Sequence, residues 1–220
     1  MTDLATATAA PARTRADEEV AHPTVTGISN EKLAMWTFLG SECLLFGGLI
    51  STYLLYKNRP GSFKVREAAE GALTGTSVKV SALFDIPFTS VSSFILLASS
   101  LTMVFAVTAA TRRDPEKLRL WLGATAALGA TFVGGQVYEF TTFVREGATF
   151  SSNVSTSAFY ALTGFHGAHV VIGVIMLLST LALTFRARTP KAESVEIVGL
   201  YWHFVDVVWI LIFTVIYLIK

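Results

Sequence analysis

Five apolar stretches limit this chain to very few folds: Leu33 to Tyr56, Ile86 to Thr111, Leu118 to Val144, Ala158 to Phe185, and Gly199 to Ile219. Each reaches the roughly 20 residues that a helix needs to cross about 30 Å of hydrocarbon. In a bilayer every backbone N–H and C=O must be paired within its own segment, so runs of this length are helices rather than strands. The sequence therefore predicts an all-α integral membrane protein, a bundle of five transmembrane helices within residues 33–220. At 52% hydrophobic and 15% charged residues, the chain is also too apolar for an ordinary soluble domain.

Residues 1–32 are rich in Ala and Thr, carry Asp17, Glu18 and Glu19, and show no apolar period. They read as a disordered tail without the apolar core of a secretory signal. An odd number of spans puts the termini on opposite sides. Two short connections on one side carry Arg112, Arg113, Lys117 and Arg119, then Arg186, Arg188 and Lys191, whereas Arg145 is alone in the third. Basic residues favour the cytoplasm, so the N-terminal tail is expected there. The connection from Lys57 to Asp85 carries five basic residues, but longer connections translocate with less regard to charge.

The net charge of +1, with no basic run or stripe, leaves no nucleic-acid footprint. A single cysteine, Cys43, permits neither an internal disulfide nor a Cys-based metal site. No G-x-S-G element or nucleophile and base constellation supports an intramembrane protease. Small residues at intervals of four, Ala126, Ala130 and Gly134, then Gly164 and Ala168, predict close helix approach and place the third and fourth spans at the centre. Trp36, Tyr53, Tyr56, Trp121, Tyr138, Tyr201 and Trp202 fit interfacial belts. For Tyr138 and Trp202, packing beside the polar residues is the other reading.

Six ionisable residues fall inside the spans: Glu42, Glu139, His166, His169, His203 and Asp206. Such residues are costly in hydrocarbon and normally face a bundle interior that supplies partners. With Gln136, five of them form pairs three residues apart, Gln136 with Glu139, His166 with His169, and His203 with Asp206; this spacing shares a helix face, so each pair is expected to point one way. From the alternating helix directions, Glu42 and His169 fall near mid-span at one level. Gln136 and Glu139 lie toward the outer end of the third span, and His203 and Asp206 in the inner half of the fifth.

Four uses are open to these groups. They could ligate a metal, since imidazole and carboxylate suit Fe, Zn or Mn, although only Glu42 and the histidine pair share a depth. They could relay protons, with Glu42 foremost. They could hold lipid headgroups or a partner subunit, or simply cross-link helices. Cross-linking suits His203 and Asp206 best. A stand-alone proton-coupled transporter is a further alternative, but no inverted internal repeat is visible.

Five motifs in order, WTFLGSE (Trp36–Glu42), LASSLT (Leu97–Thr102), GQVYEF (Gly135–Phe140), TGFHGAHV (Thr163–Val170) and YWHFVDVVW (Tyr201–Trp209), closely resemble the cytochrome c oxidase subunit 3 family, subunit III of the haem-copper oxidases. The resemblance covers residues 30–220. It implies an accessory core subunit of aerobic respiratory electron transport with no redox centre of its own. Haem and copper would sit in partner subunits I and II, and none of the polar residues would hold them.

The resemblance further makes Glu42 the family's carbodiimide-reactive carboxyl, linked to proton uptake. Gln136, Glu139, His166, His169, His203 and Asp206 match its remaining polar motifs, with structural, lipid or subunit contacts. It also implies bound phospholipid, a bacterial-type plasma membrane and association in a respiratory supercomplex. A quinol oxidase or related haem-copper reductase uses a similar subunit. Longer family members have seven helices in two groups. The first span here matches their third, so the family's lipid cleft is either absent here or completed by another subunit.

Overall fold

The computed structural model describes residues 29–57, 63–66, 73–78, 86–145, 150, 154–186 and 190–219; the expected tail lies almost wholly outside them. The five expected spans are five helices: α1 Asn30–Lys57, α2 Ile86–Thr111, α3 Pro115–Arg145, α4 Val154–Phe185 and α5 Ala192–Phe213, the last running into a π-helical turn, Thr214–Leu218. Between α1 and α2 lie two short antiparallel strands, β1 Phe63–Arg66 and β2 Leu73–Val78, with Phe63 opposite Val78. Val65, Thr74, Thr76 and Val78 supply the β-branched residues that favour extended chain.

Most helices are longer than their apolar stretches. α5 starts at Ala192 rather than Gly199, because Glu193 and Glu196 occupy its first turns and break the apolar signal without breaking the helix. Likewise α3 begins with Pro115, Glu116 and Lys117. The turn before it has a defined chemistry. Asp114 N–H bonds Ala109 O at 3.0 Å and Arg113 N–H bonds Ala110 O at 3.1 Å, with Arg113 at φ 55°, which is a Schellman end to α2. Asp114 then caps α3, accepting from Lys117 N–H at 3.2 Å, with Pro115 in the first helical position. That backbone bond, with help from the Lys117 ammonium, holds the Asp114 carboxyl below the usual carboxylate range.

α5, rather than α3 or α4, is the central helix. Half of its apolar window is buried inside the chain, against 28% for α3 and α4 and 11% for α1. It packs on α1, α2 and α4, while α2 and α3 form a tight hairpin. α1 runs parallel to α5 and is tied to it at both ends. Lys32 Nζ meets Glu196 Oε2 at 2.6 Å, and Lys57 Nζ donates to Val215 O at 2.8 Å and to Ile219 O. The second tie places the Lys57 ammonium on carbonyls of the last helical turn, where helix carbonyls lack intrahelical partners.

The small-residue stripes make only part of the contacts expected of them: Ala126 is buried in the core. Ala130, Gly134 and Ala168 are exposed, and a β-carbon at Gly134 or Gly164 would meet nothing within 4 Å. The close approach is made one register over, at Gly129 and Gly173. A β-carbon at Gly129 would stand 2.8 Å from Trp202 Cζ2 and nearer still to Cη2, and one at Gly173 would stand 2.8 Å from Trp202 Cε3. These glycines leave a slot for one indole. Tyr53 and Tyr201 are buried within the bundle, whereas Trp36 and Tyr138 are exposed.

Candidate functional site

The site is built around α5. Trp202, wholly buried, donates its indole N–H to Ser99 Oγ at 3.0 Å, and two turns on Trp209 donates to Ser93 Oγ at 2.9 Å. Ser100 Oγ lies 2.8 Å from His203 Nδ1. Three α2 hydroxyls thus give three α5 side chains their partners, in surroundings where an unpaired polar group would be penalised by several kcal/mol.

Glu42 and His169 meet. The carboxylate Oε2 is 3.2 Å from His169 Nε2, with the two side chains only 14% and 12% exposed. The approach is not aligned as a hydrogen bond, and Oε2 receives none from another described residue. The imidazole is held from several sides: Nδ1 lies 2.7 Å from Phe165 O one turn back, and Phe46 of α1 sets its ring edge-on at 5.2 Å. Tyr201 Oη donates to the His169 carbonyl at 3.0 Å. At about 1.5 Å per residue, Glu42 lies about 18 Å along α1 and His169 about 24 Å from the matching end of α4, which is why they can touch.

The other pairs do not each point one way. Gln136 donates from Nε2 to Thr163 O of α4 at 2.8 Å, while Glu139 Oε1 accepts from Thr89 of α2 and Tyr217 of the π turn, both at 2.9 Å. His166 is wholly buried, stacked on Trp209 with ring centroids 4.9 Å apart and edge-on to Phe132, away from Glu42. Residues three apart differ by about 60° around a helix, and in a bundle this tight that is enough to choose different neighbours. Gly167, between the two histidines, has a clear task. A β-carbon there would lie 2.7 Å from Gln136 Oε1.

Two groups lack polar partners. Neither nitrogen of His166 and neither carboxyl oxygen of Asp206 has a hydrogen-bond partner among the described residues. His203 is fastened to Ser100 of α2. For His166 the contact that remains is aromatic. His166→Phe is therefore expected to leave stability unchanged or raise it by about 1 kcal/mol, since no hydrogen bond is lost and a buried polar ring is removed. Thermal unfolding of the detergent-solubilised protein checks this, and a large drop would mean that the imidazole nitrogens are engaged after all. Among the described residues no three His, Cys, Asp or Glu side chains gather as a metal-ligand group.

Ser93, Ser99, Thr89, Tyr217, Gly129 and Gly173 were not singled out by sequence reasoning as individual participants. Only Ser99 left a trace, as part of LASSLT. Tyr217 and Thr89 carry no local pattern, because their role depends on Glu139 in a distant segment.

Fold and site together define a polytopic membrane protein of the helical-bundle class, with an interior in which polar side chains join helices. The chain belongs to the cytochrome c oxidase subunit III family, which it matches over residues 18–220. It is 38% identical over 191 residues to the cytochrome c oxidase subunit 3 of Bacillus sp. (strain PS3), a match covering 86% of each chain. It is 39% identical over 188 residues to the quinol oxidase subunit 3 of Bacillus subtilis (strain 168), covering 84% of this chain and 85% of that one. A third relative, the cytochrome c oxidase subunit 3 of Corynebacterium diphtheriae, is 37% identical over 185 residues, 83% of this chain and 85% of its own.

Proposed function

We propose that this chain is the accessory, non-redox subunit III of a proton-pumping terminal oxidase in a bacterial-type plasma membrane. It packs beside subunits I and II, which carry the haem and copper. The observation that carries this reading is the match over residues 18–220, with relatives of nearly equal length named as oxidase subunits 3. The geometry of the histidines is in keeping with it: His169 is engaged with a carboxylate and a carbonyl, and His166 with aromatic faces.

Within that role Glu42 is the proton-related carboxyl. Gln136, Glu139, His166, His169 and His203 are fasteners that hold the bundle in the shape its partners require. The N-terminal tail is cytoplasmic, because Arg112, Arg113, Lys117, Arg119, Arg186 and Lys191 all lie at the end where α1, α3 and α5 begin. Bound phospholipid has a fitting place in an apolar groove of about 450 Å³ lined by Val137, Phe140, Thr141, Val144 and Tyr160, with Arg145 at its rim for an anionic headgroup.

A tagged chain extracted in mild detergent is expected to bring two larger subunits and haem absorbance with it. Recovery of the chain alone, without haem, overturns the reading. The quinol oxidase reading is favoured equally by relatives of both names, and oxidation of reduced cytochrome c or of quinol by the purified complex separates the two.

A further inference from the structure

Among the described residues α1 packs on α4 and α5, α2 packs on α3 and α5, and α3 packs on α4. The four outer helices therefore form an open ring around α5, with its gap between α1 and α2. His203 stands in that gap, half-buried. On one side its neighbour Phe204 turns to Phe46 of α1, with ring centroids 6.4 Å apart, and on the other its Nδ1 lies 2.8 Å from Ser100 Oγ of α2. Val207 and Ile210, exposed in the next two turns of α5, share the face of His203; Leu97 and Val104, exposed on α2, share that of Ser100.

The bond to Ser100 fixes the state of the imidazole. Ser93 and Ser99 donate to carbonyls of their own helix, but the Ser100 hydroxyl has only His203 Nδ1 among the described residues. Its proton therefore goes to Nδ1, and the neutral ring carries its own proton on Nε2. The opposite choice would leave both the serine O–H and the Nε2 lone pair unpaired. No described residue accepts from Nε2–H. Nor can the ring reach the headgroups. The ties of Lys32 to Glu196 and of Lys57 to Ile219 mark the two edges of the hydrocarbon, and His203 lies about 10 Å from the first along α5 and about 24 Å from the second. Lipid tails at that depth offer no acceptor, so the N–H is penalised unless another helix supplies one.

We propose that the gap between α1 and α2 receives a transmembrane helix of another subunit, which accepts the His203 Nε2–H bond on a hydroxyl, carboxamide or carboxylate oxygen. The inference rests on the reading of this chain as one subunit of a complex, and adds the face, the depth and the chemistry of one contact. A phospholipid does not meet the donor, because its ester oxygens lie at the level of the Lys32 and Glu196 pair, about 10 Å away. A second copy of this chain, using the same face about a two-fold axis, would set donor against donor.

Photocross-linking of the complex in its native membrane tests the face. Photoreactive benzoylphenylalanine placed at Val207, one turn beyond His203, is expected to join this chain to another subunit, identified by mass. Retention in the purified complex tests the contact. His203→Phe keeps a ring of similar size without the donor, and is expected to lower the share of this chain that stays with the haem-bearing subunits about three- to tenfold, the range of a hydrogen bond between membrane helices. Ser100→Ala gives up the same internal bond but leaves Nε2–H in place, so it should be retained like wild type, and His203→Gln, which restores an N–H donor, should recover most of the loss. Should His203→Phe fail to fold, the cross-link still decides. Cross-linking only to lipid or to a second copy, equal retention of His203→Phe and wild type, or an equal loss in Ser100→Ala overturns the proposal. Recovery of the chain without haem overturns the subunit reading with it, whereas a lipid cross-link in a haem-containing complex overturns this inference alone.

Discussion

Gly129→Ala is expected to destabilise the bundle by about 2–3 kcal/mol, although it adds a single methyl group to a membrane helix. The β-carbon would overlap two atoms of the Trp202 ring and come within 3.1 Å of Val174 Cγ2. A flexible side chain could move aside, but this indole cannot. Gly173 closes the opposite side of the slot, and the N–H is anchored on Ser99. Moving the ring therefore gives up a buried hydrogen bond and the packing contacts that hold membrane helices together, where burial from water contributes little. Trp202→Phe, which lacks the ring atoms at fault, is costly by itself because it opens a cavity and removes the indole donor from Ser99. Combined with Gly129→Ala it should cost less than the sum, since each change relieves part of the other's defect. Thermal unfolding of the four variants in detergent measures this coupling, and strict additivity would show that the slot is not the source of the effect.

The same slot shows where sequence reasoning reaches its limit. The five helices were legible because hydrocarbon thickness sets a length that apolar runs must meet, and α2 matches its stretch at both ends. Ends with charged first turns were not legible, as at Glu193 and Glu196, because charge at a helix start is compatible with helix but not with an apolar count. The shift in the start of α5 also puts Asp206 about 21 Å from that helix end, against about 10 Å from the start of the apolar stretch.

Of the small residues four apart in α3, Ala126 is buried while Ala130 and Gly134 are not. Composition says that backbones can approach at such positions, but the partner decides which glycine is used, and Trp202 selected Gly129 and Gly173. The contact between Glu42 and His169 was legible because depth needs only direction and rise per residue. Rotation about the axis needs more. That is why Gln136 and Glu139, or His166 and His169, were expected to face together and instead reach different helices.

Two variants of that contact separate fastening from proton handling. Glu42→Gln keeps the size and polarity of the side chain and removes only its ability to take up and release a proton. It is expected to leave assembly, stability and electron transfer close to wild type, while protons pumped per electron decline during sustained turnover. His169→Ala does the reverse. It leaves the carboxyl in hydrocarbon without the imidazole and removes the ring that packs on Phe46, at the level where α1 rests on α4 and α5. Losing a largely buried ring and its packing costs about 2–3 kcal/mol. Since α1 is the least buried helix, the loss should appear as α1 detaching first, read by proteolysis after Lys57 and by a lower unfolding temperature. If Glu42→Gln pumped as persistently as wild type while His169→Ala loosened α1, the pair would be a fastener alone. If His169→Ala left α1 firmly docked, Lys32 and Lys57 would suffice to hold that helix and the 3.2 Å contact would contribute nothing to the fold.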